Sequence, residues 1–241
     1  EFLVAASLLS ATLKFKGIVS IQAIGQGTIT SIMAECSNNT QLRGIVRGDY
    51  QSIGDNENFK TLLGSATLAI TIEPEGRERY QGLVPMDKDS LSECLEYYFD
   101  QSEQLSTKIK LTADQHTAAG VLIQEMPHSS NDEQARENWQ HLSVLLESLK
   151  PEEQLKLEHE EQLYRLFHEQ KVRLFEREKL QFFCSCSKAR TAKMLVSLGA
   201  DEVNQIIQEQ GLIDVNCEFC DQHYQFDQSD IDEIFNQPSV H

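Results

Sequence analysis

Six cysteines occur in 241 residues, and four fall in two close pairs: Cys184-x-Cys186 in FCSCSKA and Cys217-x-x-Cys220 in NCEFCDQHY, with thirty residues between. Thiolates are soft ligands that suit the tetrahedral preference of zinc, and two pairs supply four of them. The first pair is one residue tighter than the usual spacing. A closed four-thiolate site leaves no position for water or substrate, which argues against zinc hydrolase chemistry. The same sulfurs can be oxidised, and disulfide sulfur is a poor zinc ligand. The pattern therefore allows a sequence of oxidation, metal loss and local unfolding. Four buried free cysteines are the plain alternative. His223 extends the second pair to C-x-x-C-x-x-H; with four sulfurs at hand it reads as a packing residue or an outer partner of a ligand.

Little else in the chain has the spacing of a site. Cys36 and Cys94 read as buried structural thiols. His116, His128, His141, His159, His168 and His241 are scattered without ligand spacing. Gly25-x-Gly27 lies between two strand-like runs and lacks the third glycine and helix of a dinucleotide site, so it reads as a hairpin turn. No nucleophile–base constellation stands out. A C-x-x-C oxidoreductase would need a strand before the motif and a helix after it, and neither is evident around Cys217.

The elements that must position the cysteines divide the chain into three. Residues 1–126 read as an α+β domain, with an antiparallel sheet and helices on one face. Its apolar opening, EFLVAASLLSATLKF, is too short to span a bilayer and lacks a basic leader, so it reads as a buried helix. No N-cap signal precedes it, and the chain reads as starting inside a domain. Strand patterns follow at 18–24, 28–35, 40–47, 65–73 and 80–86, then a helix at 89–102 capped by Ser90 with Glu93, then strands at 106–113 and 118–126. After a polar break at 127–134, residues 127–181 read as a helical linker. Trp139, Leu142, Leu145, Leu146 and Leu149 share one helical face, Pro151 starts another helix, and 160–170 forms a third. This stretch has few large apolar residues per charge and folds only by docking on something else. Residues 182–241 hold both cysteine pairs, two short helices ended by Gly199 and Gly211, and a short capped helix at 229–237. A unit so small needs a staple.

The formal charge is −17, and Asp201–His241 carries ten acidic residues without one Lys or Arg. A nucleic-acid binder needs a cationic face. This excludes a basic zinc ribbon on nucleic acid, and leaves a constitutive protein-binding zinc ribbon as the second reading. Clustered cysteines in a long chain fit a reducing compartment better than a disulfide scaffold.

The cysteine pattern, together with LLSATLKFKG (8–17), QLRGIVRG (41–48), GRERYQGLV (76–84), EQLYRLFHE (161–169) and CEFCDQHYQF (217–226), resembles the bacterial redox-regulated 33 kDa heat-shock chaperone family. The resemblance implies a cytoplasmic holdase that is not an enzyme and uses neither nucleic acid nor membrane. It implies Cys184, Cys186, Cys217 and Cys220 as ligands of one Zn2+ in an inactive reduced state, and as the thiols that oxidation joins as Cys184–Cys186 and Cys217–Cys220. It further implies zinc release, unfolding of the C-terminal domain and linker, exposure of apolar surface to unfolding client proteins, an active homodimer, and transfer of clients to ATP-dependent foldases. Trp139, Leu142, Leu145, Leu146 and Leu149 are the client-binding candidates, as core at rest and surface when active. Two departures stand out. The family carries several dozen residues before the part that EFLVAASLL matches, and it often has glycine where this chain has Asp221. Asp tolerates the left-handed backbone that a thiolate knuckle needs, so the zinc site is expected to survive.

Overall fold

Alternation of apolar residues sets the main sheet. In the computed structural model, β1 (Gly17–Ile24) buries Val19, Ile21 and Ala23 on one face. Antiparallel register places them beside Cys36, Ala34 and Ile32 of β2 (Ile29–Ser37), and beside Ile72, Ile70 and Leu68 of β4 (Thr67–Pro74). Adding β3 (Gln41–Gly48) and β5 (Tyr80–Pro85) gives the order β5-β4-β1-β2-β3, all antiparallel. The structure describes residues 1–13, 16–49, 51, 53–54, 58–126 and 133–236. Lys14, His128, His241 and the first six residues of the break read at 127–134 lie outside the described residues.

Helix α1 (Phe2–Thr12) packs Ala5, Ala6 and Leu9 on the buried face of the sheet; the two alanines allow close approach. Between β1 and β2 the chain turns at Gly25–Thr28, where the Gln26 and Gly27 amides donate to the Leu63 carbonyl at the end of the short helix α2 (Phe59–Leu63). The hairpin reading of that glycine pair therefore holds. Ser90 caps α3 (Leu91–Tyr98) with the expected capping box to Glu93. The helix ends in a single π-helical turn, Phe99–Glu103. Tyr98 packs against Gly82 of β5, and a Cβ on Gly82 would sit 2.5 Å from the Tyr98 ring. Close approach is what requires glycine there.

Two details of the layering go beyond what the sequence indicates. The strands β6 (Thr107–Ala113) and β7 (Ala118–Gln124) pair with each other as a separate ribbon and do not extend the main sheet. Edge groups of β6 are satisfied by side chains instead: the Ile109 amide donates to Glu96 at 2.9 Å. The linker also is not helical throughout. Helices α4 (Glu133–Glu147), α5 (Pro151–Lys156) and α6 (His159–Phe167) dock on the ribbon, and Pro151 opens α5 as expected. Residues 171–180 then run without regular structure, held where Arg177 pairs with Glu158 and Glu160 of the α6 N-terminus. A two-residue strand, β8 (Gln181–Phe182), joins β3 in parallel, with the Gln181 amide donating to the Thr40 carbonyl at 2.9 Å.

The chain divides into two compact units, Glu1–Phe182 and Phe183–His241. In the second, α7 (Lys188–Leu198), α8 (Ala200–Gln210) and α9 (Gln228–Asn236) surround a hairpin of β9 (Ile213–Asn216) and β10 (His223–Phe226). Gly199 and Gly211 end α7 and α8 at positive φ, as the sequence indicates. Leu195, Val203, Ile207, Ile213, Phe226 and Ile231 form this unit's own small core.

Candidate metal centre

Local structure brings together one cysteine pair from the start of the second unit and one from its hairpin. Cys184 and Cys186 precede α7, whose N-cap Ser187 accepts a hydrogen bond from the Arg190 amide at 3.2 Å. The Arg190 guanidinium also donates to the Ser185 carbonyl at 2.9 Å, which fixes the backbone between the first two cysteines. Cys217 and Cys220 occupy the turn of the β9–β10 hairpin. The Cys217 carbonyl accepts from the Cys220 and Asp221 amides at 3.3 and 2.8 Å, and the Cys217 amide donates to the Gln222 carbonyl at 2.9 Å. This tight turn requires a left-handed residue after Cys220. Asp221 supplies it at φ 60°, and Asn216 donates to its carboxylate at 2.7 Å.

The four Sγ atoms lie within 4.8 Å of one another. Cys184 and Cys217 are 3.7 Å apart, and Cys186 and Cys220 are 3.3 Å apart. Four sulfurs at about 2.3 Å from a tetrahedral zinc have mutual separations of roughly 3.8 Å. A disulfide requires about 2.05 Å, and all six cysteines are free thiols. The separations therefore suit a metal cage in the reduced state. At Cys220 the Gln222 amide favours the thiolate, but the crowding thiols of Cys186, Cys217 and Cys184, with desolvation, push its pKa up to about 12. Packed thiols resist ionisation by one another, and a divalent cation reverses that preference. Tyr224 of β10 donates its hydroxyl to Cys186 Sγ at 3.1 Å, and that contact raises the phenol's pKa to about 12.

His223 is not part of the cluster. Its Nδ1 meets Asp214 Oδ1 across the hairpin at 3.0 Å. Cys36 and Cys94 are fully buried in the core of the first unit, where desolvation raises both pKa values. Thiols held protonated in this way are poor nucleophiles. Leu146 and Leu149 are buried with Leu166 and Phe167, while Leu142 and Leu145 are half-buried beside them with Val121 and Ile123 of β7. Trp139 is half-buried and lines an open, charged cleft of about 610 Å³ with Tyr97, Lys108 and Asp89. The sequence reading missed the β9–β10 hairpin and with it Tyr224. Its signal was the alternation of Ile213 with Val215 and of Tyr224 with Phe226 on either side of the second pair. Among the described residues, no helix is long and apolar enough to cross a membrane.

Comparison with known proteins bears on the same residues. A 33 kDa chaperonin of Hahella chejuensis is 44% identical over 242 residues, covering 100% of this chain and 84% of the relative. Another, from Pseudomonas aeruginosa, is 44% identical over 98% of this chain and 80% of the relative. The crystal structure of a 33 kDa chaperonin from Thermotoga maritima superposes with a TM-score of 0.79 at 21% identity, over 96% of this chain and 82% of that one, and shares its fold. The family model described as Hsp33 protein matches residues 1–227, and the chain belongs to the Hsp33 family.

Proposed function

We propose that this chain is a redox-regulated holdase. The observation that carries the reading is the gathering of Cys184, Cys186, Cys217 and Cys220 into one cage in a chain of the Hsp33 family. In the reduced protein these four cysteines hold one Zn2+. With no open position, the bound ion would supply folding energy to the C-terminal unit and no catalysis. The chain is read as a chaperone and not an enzyme, in line with the naming of its relatives as chaperonins.

Oxidation balances with hydrogen peroxide as the oxidant. Two ligand thiolates, one hydrogen peroxide and two protons from water give one disulfide and two waters, and two such reactions give Cys184–Cys186 and Cys217–Cys220 and set the ion free. Disulfide sulfur no longer donates as a thiolate, so the cage is lost and the C-terminal unit with it. In functional terms the chain divides into a stable domain at 1–126, a metastable linker at 127–181 and a switch at 182–241. Undocking of the linker frees Trp139, Leu142, Leu145, Leu146 and Leu149 to bind apolar stretches of unfolding proteins. The docked linker rests on a small cluster of four buried apolar residues, in keeping with ready release. The active form is a cytoplasmic homodimer that hands clients to ATP-dependent foldases. The net charge of −17 disfavours nucleic acid as a partner.

The test is light scattering from a heat-unfolding client, with the protein either reduced and zinc-loaded or treated with peroxide at elevated temperature. Zinc release is followed in the same sample with a chelating dye. Suppression of aggregation by the oxidised sample alone, in step with zinc release, is the expected result. Equal behaviour of the two samples would leave the metal purely structural and refute the switch.

A further inference from the structure

Helices α5 and α6 meet the β6–β7 ribbon through a seam that is polar where it is most buried. Gln154 on α5 is 2% exposed, and Gln162 on α6 is 4% exposed. The Gln154 side chain donates to the Lys110 carbonyl of β6 at 2.8 Å and accepts from the Thr112 hydroxyl of β6 at 2.5 Å. The Gln162 amide donates to the Gln154 carbonyl at 3.1 Å and to the Leu157 carbonyl at 2.7 Å. One amide thus ties α5 to the ribbon, and the other ties α6 to α5. Leucine or methionine would fill the same volume with apolar atoms.

The choice of amides changes the balance between docked and free states. Buried amides must find their partners, so the seam admits one docked arrangement and penalises near misses. Once lifted, the same amides bond to water, and the net advantage of docking through them is small. An apolar seam would instead penalise exposure. We propose that Gln154 and Gln162 are positioning residues forming a polar latch, which sets how readily α5 and α6 leave the ribbon. The proposal rests on the holdase reading, in which that departure exposes the client surface.

Hydrogen–deuterium exchange on the reduced, zinc-loaded full chain tests the latch directly. Peptides covering residues 151–167 report docking, and peptides from β1 and β4 serve as internal reference. Gln154→Ala and Gln162→Ala each leave buried partners unsatisfied, so exchange over 151–167 should rise by about tenfold while the reference stays unchanged. Gln154→Met keeps the volume but leaves the Lys110 carbonyl and the Thr112 hydroxyl without that partner, so exchange over 151–167 should rise as in Gln154→Ala. Protection within about twofold of wild type in both alanine variants, or wild-type protection in Gln154→Met, which would make the seam a matter of volume alone, would overturn the latch. The aggregation assay on the same samples separates this from the functional reading. If 151–167 loosens as expected but reduced Gln154→Ala protects clients no better than wild type, the latch stands and the holdase reading fails.

Discussion

Stripping zinc from the fully reduced protein, with no oxidant present, should unfold residues 183–236 and leave the first unit intact. The core of the second unit comprises six buried apolar side chains, with Ala192, Ile206, Val215 and Tyr224 among those packed against it. A domain of this size lacks the apolar burial to offset its own chain entropy and needs a staple. A structural zinc contributes on the order of 10–16 kcal/mol, against a typical domain stability of about 5–15 kcal/mol. Chelation therefore removes as much as the whole stability of the unit. The loss is visible spectroscopically, because α7, α8 and α9 contribute 11, 11 and 9 helical residues. Far-UV circular dichroism should lose that share of helix. Hydrogen exchange should show Val203, Ile207 and Ile213 unprotected while Ile21 and Ile70 of the main sheet keep their protection. Retained protection at Val203 and Ile207 after complete chelation under reductant would refute the staple argument, and with it the link from oxidation to unfolding.

Three further changes test individual contacts. Tyr224→Phe removes the hydroxyl bonded to Cys186 Sγ but keeps the ring in the core. The sulfur loses about 1 kcal/mol of stabilisation, and peroxide-driven zinc release should quicken about fivefold; an unchanged rate would show that the phenol does not act on that sulfur. Asp221→Val forces a β-branched residue into the left-handed region at φ 60°. That strain of about 1–2 kcal/mol should weaken zinc binding in a competition titration, whereas Asp221→Gly should retain it. Gly82→Ala drives a methyl into the Tyr98 ring, which is buried and tethered to Glu103 at 2.8 Å. Overpacking of about 1–3 kcal/mol should lower the melting temperature of the first unit by several degrees without altering zinc binding.

The parts legible in the sequence are those fixed by local rules. Ser90 with Glu93 marks a helix start because both partners of the capping box lie within one turn. Pro151 marks α5, and Gly199 and Gly211 mark the ends of α7 and α8, for equally local reasons. The cysteine cage was legible because thiolate pairs at short spacing have few other uses. What was not legible depends on contacts distant in sequence. Nothing in STKIKLTA indicates that β6 stops at a two-stranded ribbon, because its edge is closed by Glu96 from α3 and its face by Gln154 from α5. The coil at 171–180 shows an apolar–charged mixture suited to a helix, yet Arg177 at its centre is engaged by Glu158 and Glu160. Tyr224 entered the site only through the hairpin that sets it opposite Val215 and within reach of Cys186.

These differences bear on how a switch can be built from one chain. The first unit buries a continuous core from α1 through β6, including Tyr98, Leu68 and Ile21 at 2% exposure or less. Such a core resists release of the sheet when a neighbouring element melts. The second unit has a short core and a sulfur cage, on which its stability depends in the proposed function. Within the first unit, α4 to α6 contribute four buried apolar residues and two buried glutamines to their docking surface. A layer of that composition can detach while the sheet stays folded, because its apolar debt is small and its amides are satisfied equally well by water. A wholly apolar layer would hold after the cage opened. A wholly polar one would fail to dock at rest. The mixture at Leu146, Leu149, Leu166 and Phe167 beside Gln154 and Gln162 lies between those limits, as the proposed switch requires.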